Sequence, residues 1–192
     1  MNRILALDLS TRVGWAAWGP GESAPHWGAH PLPRTGEDVG RYLAAYRRWL
    51  SGRLGEVAPD RVVMEAPILP KTTALATTRK LHGLAGLTEL IARDHGAAAM
   101  EVNNAQVRKH FIGRGRGKRD ELKQATIAAC RDRGWTPETD DEADALAVLD
   151  YAAHCLRLEV PWGAGPLTAG TWQQAGEPAA RVVEGVRHGG GS

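Results

Sequence analysis

Ile4-Leu5-Ala6-Leu7-Asp8-Leu9, Ser10-Thr11-Arg12 and Val13-Gly14-Trp15-Ala16-Ala17-Trp18 follow one another at the start of the chain, two short apolar runs on either side of a polar connector. Each run has the length of a strand, and three polar residues are too few for a helix, so the stretch predicts a β-hairpin with Asp8 near the end of its first strand. An acid at a strand end is usually an ordinary cap or dipole partner, so Asp8 gains meaning only from the other acids of the chain.

Working outward, residues 26–32 supply a third strand, and the Pro/Gly/Asp-rich stretch 33–40 leads into a helix whose apolar residues Leu43, Tyr46, Leu50 and Leu54 recur at helical spacing. After Ala58-Pro59-Asp60, the run Arg61-Val62-Val63-Met64-Glu65 reads as a buried parallel strand that stops at an acid just before Pro67. Residues 72–95 read as a long helix, 97–102 as a further strand and 105–111 as a short helix. Gly113-Arg-Gly-Arg-Gly117 is a loop, because three glycines in five residues lose too much backbone entropy inside a helix. Helical spacing resumes over 118–133 through Leu122, Ala125 and Ala129, and a final helix spans 141–158. Beyond residue 160 the Pro and Gly content rises and periodicity disappears. The expected organisation is one domain over 1–159 and a flexible tail over 160–192.

At 192 residues and 43% hydrophobic content the chain has enough apolar material for one proper core. No apolar run approaches the roughly 20 residues that cross a bilayer, and no cleavage pattern follows Met1. A cytoplasmic protein with no membrane association is expected. Cys130 and Cys155 are far apart and lack any zinc-ligand spacing, so both are read as reduced structural thiols. The net charge of +2 is small, but Arg108, Lys109, Arg114, Arg116, Lys118, Arg119 and Lys123 gather in one segment against only Asp120 and Glu121. Such a cluster suits phosphate binding, although it also suits a solvated face.

Four carboxylates stand where a metal site can use them: Asp8, Glu65, Asp141 and Asp144. The last two are spaced i, i+3 and so share one helix face. Oxygen ligands without His or Cys favour Mg²⁺ or Mn²⁺ over zinc, and two such ions about 4 Å apart activate water and stabilise the leaving oxygen in phosphodiester cleavage. Asp140, Asp141 and Glu142 also suit an ordinary capping or dipole role at a helix start. Asp144 does not, because it lies one turn inside the helix among Ala143, Ala145, Leu146 and Ala147. Spacing alone admits Asp140 as well as Asp141, since Asp140 stands i, i+4 from Asp144.

The stretch from Leu5 to Ala16 resembles the opening hairpin of the RuvC-like Holliday junction resolvases, members of the RNase H-like superfamily. Val62-Val-Met-Glu65 resembles their second acidic strand, and Asp141-Glu-Ala-Asp144-Ala-Leu-Ala147 their closing helix. The basic stretch from Ala105 to Arg119 resembles the segment that approaches the scissile phosphate in that family. The resemblance implies an RNase H-like α/β fold with a mixed five-stranded sheet flanked by helices. It also implies a Mg²⁺-dependent endonuclease (or Mn²⁺-dependent, with two ions per active site) that acts on branched DNA such as a four-way junction, and a homodimer.

The resemblance selects Asp141 over Asp140, which makes Asp8, Glu65, Asp141 and Asp144 the catalytic metal ligands. Lys118 or Arg119 is the catalytic cation, and Arg108, Lys109, Arg114 and Arg116 join them in binding DNA. The chain departs from the family in two places: Ala66-Pro67-Ile68-Leu69 carries no aromatic residue for the junction centre, and the basic motif reads Gly-Arg-Gly-Lys-Arg, closer to phage-encoded members.

Other features have ordinary readings. Trp15, Trp18 and Trp49 are expected in the core rather than stacked on bases, and Leu81, Leu84, Ala85 and Leu87 give the 72–95 helix enough apolar surface for a dimer interface. Three other activities compete. An actin-like ATPase also opens on a strand with an Asp, but needs a second, duplicated domain. A branched-DNA binder without cleavage has no use for four acids that repel phosphate. An RNase H acting on RNA/DNA hybrids shares the fold and the metal chemistry.

Overall fold

A computed structural model describes residues 2–67, 74–163 and 181–183 of the chain. Strands β1 (Ile4–Asp8) and β2 (Arg12–Trp18) form the expected hairpin and β3 (His26–Pro31) extends it; helix α1 (Val39–Val57) then leads to β4 (Arg61–Glu65). Helix α2 (Leu75–Asp94), β5 (Ala98–Val102), α3 (Asn104–Ile112), α4 (Arg119–Asp132) and α5 (Asp140–Cys155) follow, and β6 (Arg181–Val183) closes the sheet. The strand order is β3-β2-β1-β4-β5-β6. β1 pairs antiparallel with β2 and parallel with β4, and β4 pairs parallel with β5, so β1 is central and the sheet is mixed.

The five expected strands are all present. A sixth, β6, lies in the stretch read as tail and pairs antiparallel with β5, satisfying backbone groups along an edge that would otherwise be open. No local pattern announced it, because a three-residue strand is too short for alternation to register. Helix α5 ends at Cys155, earlier than the expected 158, where Leu156 caps it and Arg157 turns to positive φ. The expected start of α2 at Thr72 and Thr73, and Ile68 and Leu69 after β4, fall outside the described residues.

Alternation along β1 and β4 divides the core in two. Ile4, Ala6 and Val63 face α5 together with Ala143, Leu146 and Leu149, whereas Leu5, Leu7, Val62 and Met64 face α1 and α2 together with Tyr46, Leu50 and Leu84. Period-two geometry therefore carries Asp8 and Glu65, next in the Ile4/Ala6 and Val63 series, toward the α5 side of the sheet. Leu84, Ala85 and Thr88 of α2 are buried against their own domain, Thr88 bonding the Tyr46 hydroxyl at 2.5 Å. They are not available to a partner, which corrects that part of the interface expected on α2. Trp18 is core as expected; Trp15 and Trp49 are half-buried, capped by the Arg53 guanidinium and by the stacked ring of His30.

Candidate active site

Helix α5 is nearly all apolar around its circumference, and its small residues let it lie close on β1 and β2. The closest approach is at Gly14, where a Cβ would overlap the backbone carbonyl of Asp141. Gly14 is paired with Asp8 across the hairpin. The first turn of α5 is thereby lowered onto the end of β1. That turn is held by a capping box: the Thr139 side chain accepts from the Glu142 backbone N–H, while the Glu142 carboxylate accepts from the backbone N–H groups of Glu138 and Thr139. With Thr139 and Glu142 acting as caps, the other acids of the turn are left for other partners.

Those partners separate two neighbours that spacing alone leaves equivalent. Asp140 is ion-paired with Lys123 of α4, whereas Asp141 accepts a hydrogen bond from the Ser10 hydroxyl at 3.2 Å, in the connector between β1 and β2. Asp144, one turn further, is close enough to Glu65 and Asp8 for its charge to act on both. At β4, Glu65 accepts from the side-chain amide of Asn104, the first residue of α3. Asn104 and Arg108 are spaced i, i+4 and share a face of α3, which brings the Arg108 charge to bear on both Glu65 and Asp144.

The electrostatics are those of crowded acids. Burial, followed by the charges of Glu65, Asp144 and Asp141, raises the Asp8 carboxyl well above its usual range. Burial and the neighbouring Asp144 push Glu65 up to about 7 despite the opposing Asn104 bond and Arg108 charge. Burial pushes Asp144 to about 6, with Arg108 opposing. Burial and the charge of Asp140 raise Asp141 more moderately, while the bond from Lys123 holds Asp140 low. Four carboxylates whose ionisation is resisted first by burial and then by one another's charge suit a hard divalent cation, which would offset both. Among the described residues no three acid, imidazole or thiol groups are gathered tightly enough to enclose an ion.

The basic segment divides. Gly113 takes a left-handed conformation that ends α3, and Gly115 packs so closely on the carbonyl of Ala105 that a side chain there would clash. Arg114 and Arg116 project from this loop into solvent. Lys118 is the N-cap of α4, its side chain 86% exposed and 3.8 Å from Glu121. Arg119 and Lys123, spaced i, i+4, both act on Asp140. Lys109 is exposed on the outer side of α3. The sequence-predicted acids thus lie close enough to feel one another's charge, and Arg108 reaches Glu65 and Asp144; Arg119 reaches only the neighbouring Asp140, and Lys109, Arg114, Arg116 and Lys118 stand outside. Sequence reasoning missed Asn104, Ser10 and Lys123 as partners of the acids. For Asn104 a signal existed in its i, i+4 spacing to Arg108; for Ser10 and Lys123 none did.

Comparison with known proteins gives a consistent picture. No family model matches the chain. It is 30% identical over 158 residues to the crossover junction endodeoxyribonuclease RuvC of Azorhizobium caulinodans, covering 80% of this chain and 90% of that protein. The protein of the same name from Alkaliphilus oremlandii is 29% identical over 128 residues, 67% of this chain and 76% of its own length. Among solved structures, Thermus thermophilus RuvC superposes with a TM-score of 0.62 at 18% identity, over 85% of this chain and 98% of that one. The same protein in complex with Holliday junction substrate gives 0.59 at 16% identity, over 77% and 90%. These likenesses bear out the RNase H-like fold.

Proposed function

Because the chain belongs to the family of RuvC crossover junction endodeoxyribonucleases, we propose that it is a structure-specific DNA endonuclease that cuts phosphodiester bonds at four-way junctions with the help of divalent metal ions. The observation that carries the reading is the convergence of Asp8, Glu65, Asp141 and Asp144 at one end of the sheet, each with its carboxyl pKa raised. Acids so placed repel a phosphodiester unless a cation stands between them, so their presence beside a basic segment fits cleavage rather than binding alone. We assign the nuclease to the single sheet domain, which Trp162 and β6 extend past the expected boundary at residue 159, with two Mg²⁺ or Mn²⁺ ions per site and a cytoplasmic location.

Divalent metal ions, when bound, activate water for attack on phosphorus and stabilise the oxygen that leaves. The protein's part is to place the ligands and the strand. Asp8, on the central strand and nearest to all the other acids, is the residue suited to be shared between two ions. Glu65, oriented by Asn104, and Asp144, oriented by its helix, flank it; Asp141 is steadied by Ser10. Water adds to phosphorus as one P–O bond to the sugar oxygen breaks, and charge builds on the phosphoryl oxygens. Arg108, already at the edge of the acids, and Arg119, at the start of α4, are the cations positioned to meet that charge. Arg114, Arg116, Lys109 and Lys118 hold more distant phosphates.

The deciding experiment is cleavage of a panel of four-way junction, flap and RNA/DNA hybrid substrates with Mg²⁺ and with Mn²⁺. Junction cutting that vanishes in EDTA supports the reading. Preference for the hybrid, or full activity in EDTA, overturns it.

A further inference from the structure

Asp140 and Asp141 are neighbours at the start of α5, and each is close enough to Asp144 along the helix to ligate with it, Asp140 at i, i+4 and Asp141 at i, i+3. A fifth candidate acid beside a two-ion site is a hazard, because an extra carboxylate holds an ion more tightly and in a different place. The ion pair to Lys123 turns Asp140 away toward α4, and the Ser10 hydroxyl holds Asp141 toward the hairpin. Both members of the ion pair are about one-third exposed, with side-chain accessibilities of 30% and 37%. An exposed pair of that kind contributes little to stability, typically about 0–1 kcal/mol, so the fold does not account for its position.

We propose that Lys123 is a positioning residue that sequesters Asp140 and so keeps it out of the metal site, leaving Asp141 as the ligand of that turn. The proposal rests on the carboxylate reading above. Lys123 bonds Asp140, and its charge also reaches Asp141 and Asp144 directly; only the first of these is sequestration, and the coupling between the two variants isolates it. The same ion pair ties α4, which begins just after the glycine-rich basic loop, to the turn that carries two of the acids, so basic segment and ligands are placed by one bond.

The test is a double-mutant cycle over Lys123→Gln and Asp140→Asn, with Lys123→Arg as the conservative control, read in two ways: Mn²⁺ affinity of the DNA-free protein by calorimetry, and single-turnover cleavage of a four-way junction. If Lys123 sequesters Asp140, Lys123→Gln binds Mn²⁺ about three- to tenfold more tightly and cuts about tenfold more slowly. Asp140→Asn shifts both far less in the wild-type background than in Lys123→Gln, because its charge reaches Asp141 and Asp144 even when it is sequestered; the double variant returns both toward wild type, and Lys123→Arg stays close to it. Equal effects of Asp140→Asn in the wild-type and Lys123→Gln backgrounds overturn the proposal, since that is the behaviour of charges acting only at long range. So does a Lys123→Gln variant with unchanged metal affinity. Asp144→Asn, measured alongside, separates the two levels: if it still binds Mn²⁺ and cuts, the carboxylate reading itself fails; if it loses both while the cycle shows no coupling, only the role of Lys123 fails.

Discussion

A Cβ at Gly14 would overlap the carbonyl oxygen of Asp141, so the helix that carries two of the acids rests on the one residue of β2 that has no side chain to hold it off. Since Gly14 also pairs with Asp8, the distance between the strand acid and the helix acids is set at this point. Gly14→Ala is expected to force α5 outward, at a cost of about 1–3 kcal/mol for an overpacked site. Cleavage is expected to fall by more than the stability loss explains, because Asp141 and Asp144 move together. Thermal denaturation alongside single-turnover cleavage checks both; a variant that melts normally and cuts normally contradicts the role given to Gly14.

Asp144→Asn is expected to leave the fold and DNA binding intact while lowering cleavage on the order of 10³-fold or more, the scale on which loss of a central catalytic group registers. It should also make the metal-free protein more stable near pH 8, because it removes a buried charge that repels Glu65 and Asp8. A melting scan in EDTA shows this directly. Undiminished cutting at saturating Mg²⁺ would remove Asp144 from the site.

Burial, joined by this repulsion, gives a pH dependence. Glu65 and Asp144 have folded-state pKa values of about 7 and about 6, above their ordinary range, so the folded protein binds more protons than the unfolded chain across that interval. Their contribution is fully present below about pH 4 and is lost as pH rises through the folded values. In EDTA the melting temperature should therefore lose a component between about pH 4 and 7, and adding Mn²⁺ should restore it most at the alkaline end, with proton release on binding. A metal-induced stabilisation equal at about pH 5 and about pH 8 would mean the acids are not the ligands.

How far these features were legible in the sequence follows from their range. Asp8 and Glu65 could be read because each ends an apolar run, and alternation places them on one face. The choice between Asp140 and Asp141 could not be read from spacing, since it turns on Lys123 and Ser10, partners 17 and 131 residues away. The cation question was open for the same reason: Lys118 and Arg119 are adjacent, and only the rotation of α4 turns Arg119 and Lys123 to Asp140 while Lys118 faces Glu121. Leu84 misled in the opposite direction, because an apolar residue on a long helix looks alike whether it is covered by its own domain or by a partner.

The cations are expected to separate accordingly. Arg114→Ala with Arg116→Ala should weaken junction binding and flatten its salt dependence by roughly 0.9 for each phosphate no longer neutralised, with little change in rate at saturating enzyme. Arg108→Gln and Arg119→Gln should lower the single-turnover rate, whereas Lys118→Ala should not. Electrophoretic binding at several salt concentrations together with rapid-quench cleavage distinguishes these outcomes. A large rate loss in Lys118→Ala would require the start of α4 to turn on binding DNA.

The last expectation concerns assembly. Two symmetric nicks at a four-way junction need two acid clusters, and one domain supplies one, so a two-fold homodimer fits the proposed reaction. Leu84 is fully buried in its own domain, and Leu84→Arg should unfold the protein rather than divide a dimer. The outward side of α2 offers a different surface: Leu75 is 73% and Leu90 54% exposed. His82, Gly86 and Leu90 form a stripe at i, i+4 spacing, and a Cβ at Gly86 would meet nothing, so a second helix can approach closely there. Leu90→Arg should then remain folded, sediment as a monomer at micromolar concentration, and nick one strand of a junction without the paired second cut. A folded Leu90→Arg that stays dimeric would move the interface off this face, and a wild-type monomer that cuts both strands in one binding event would remove the need for a dimer.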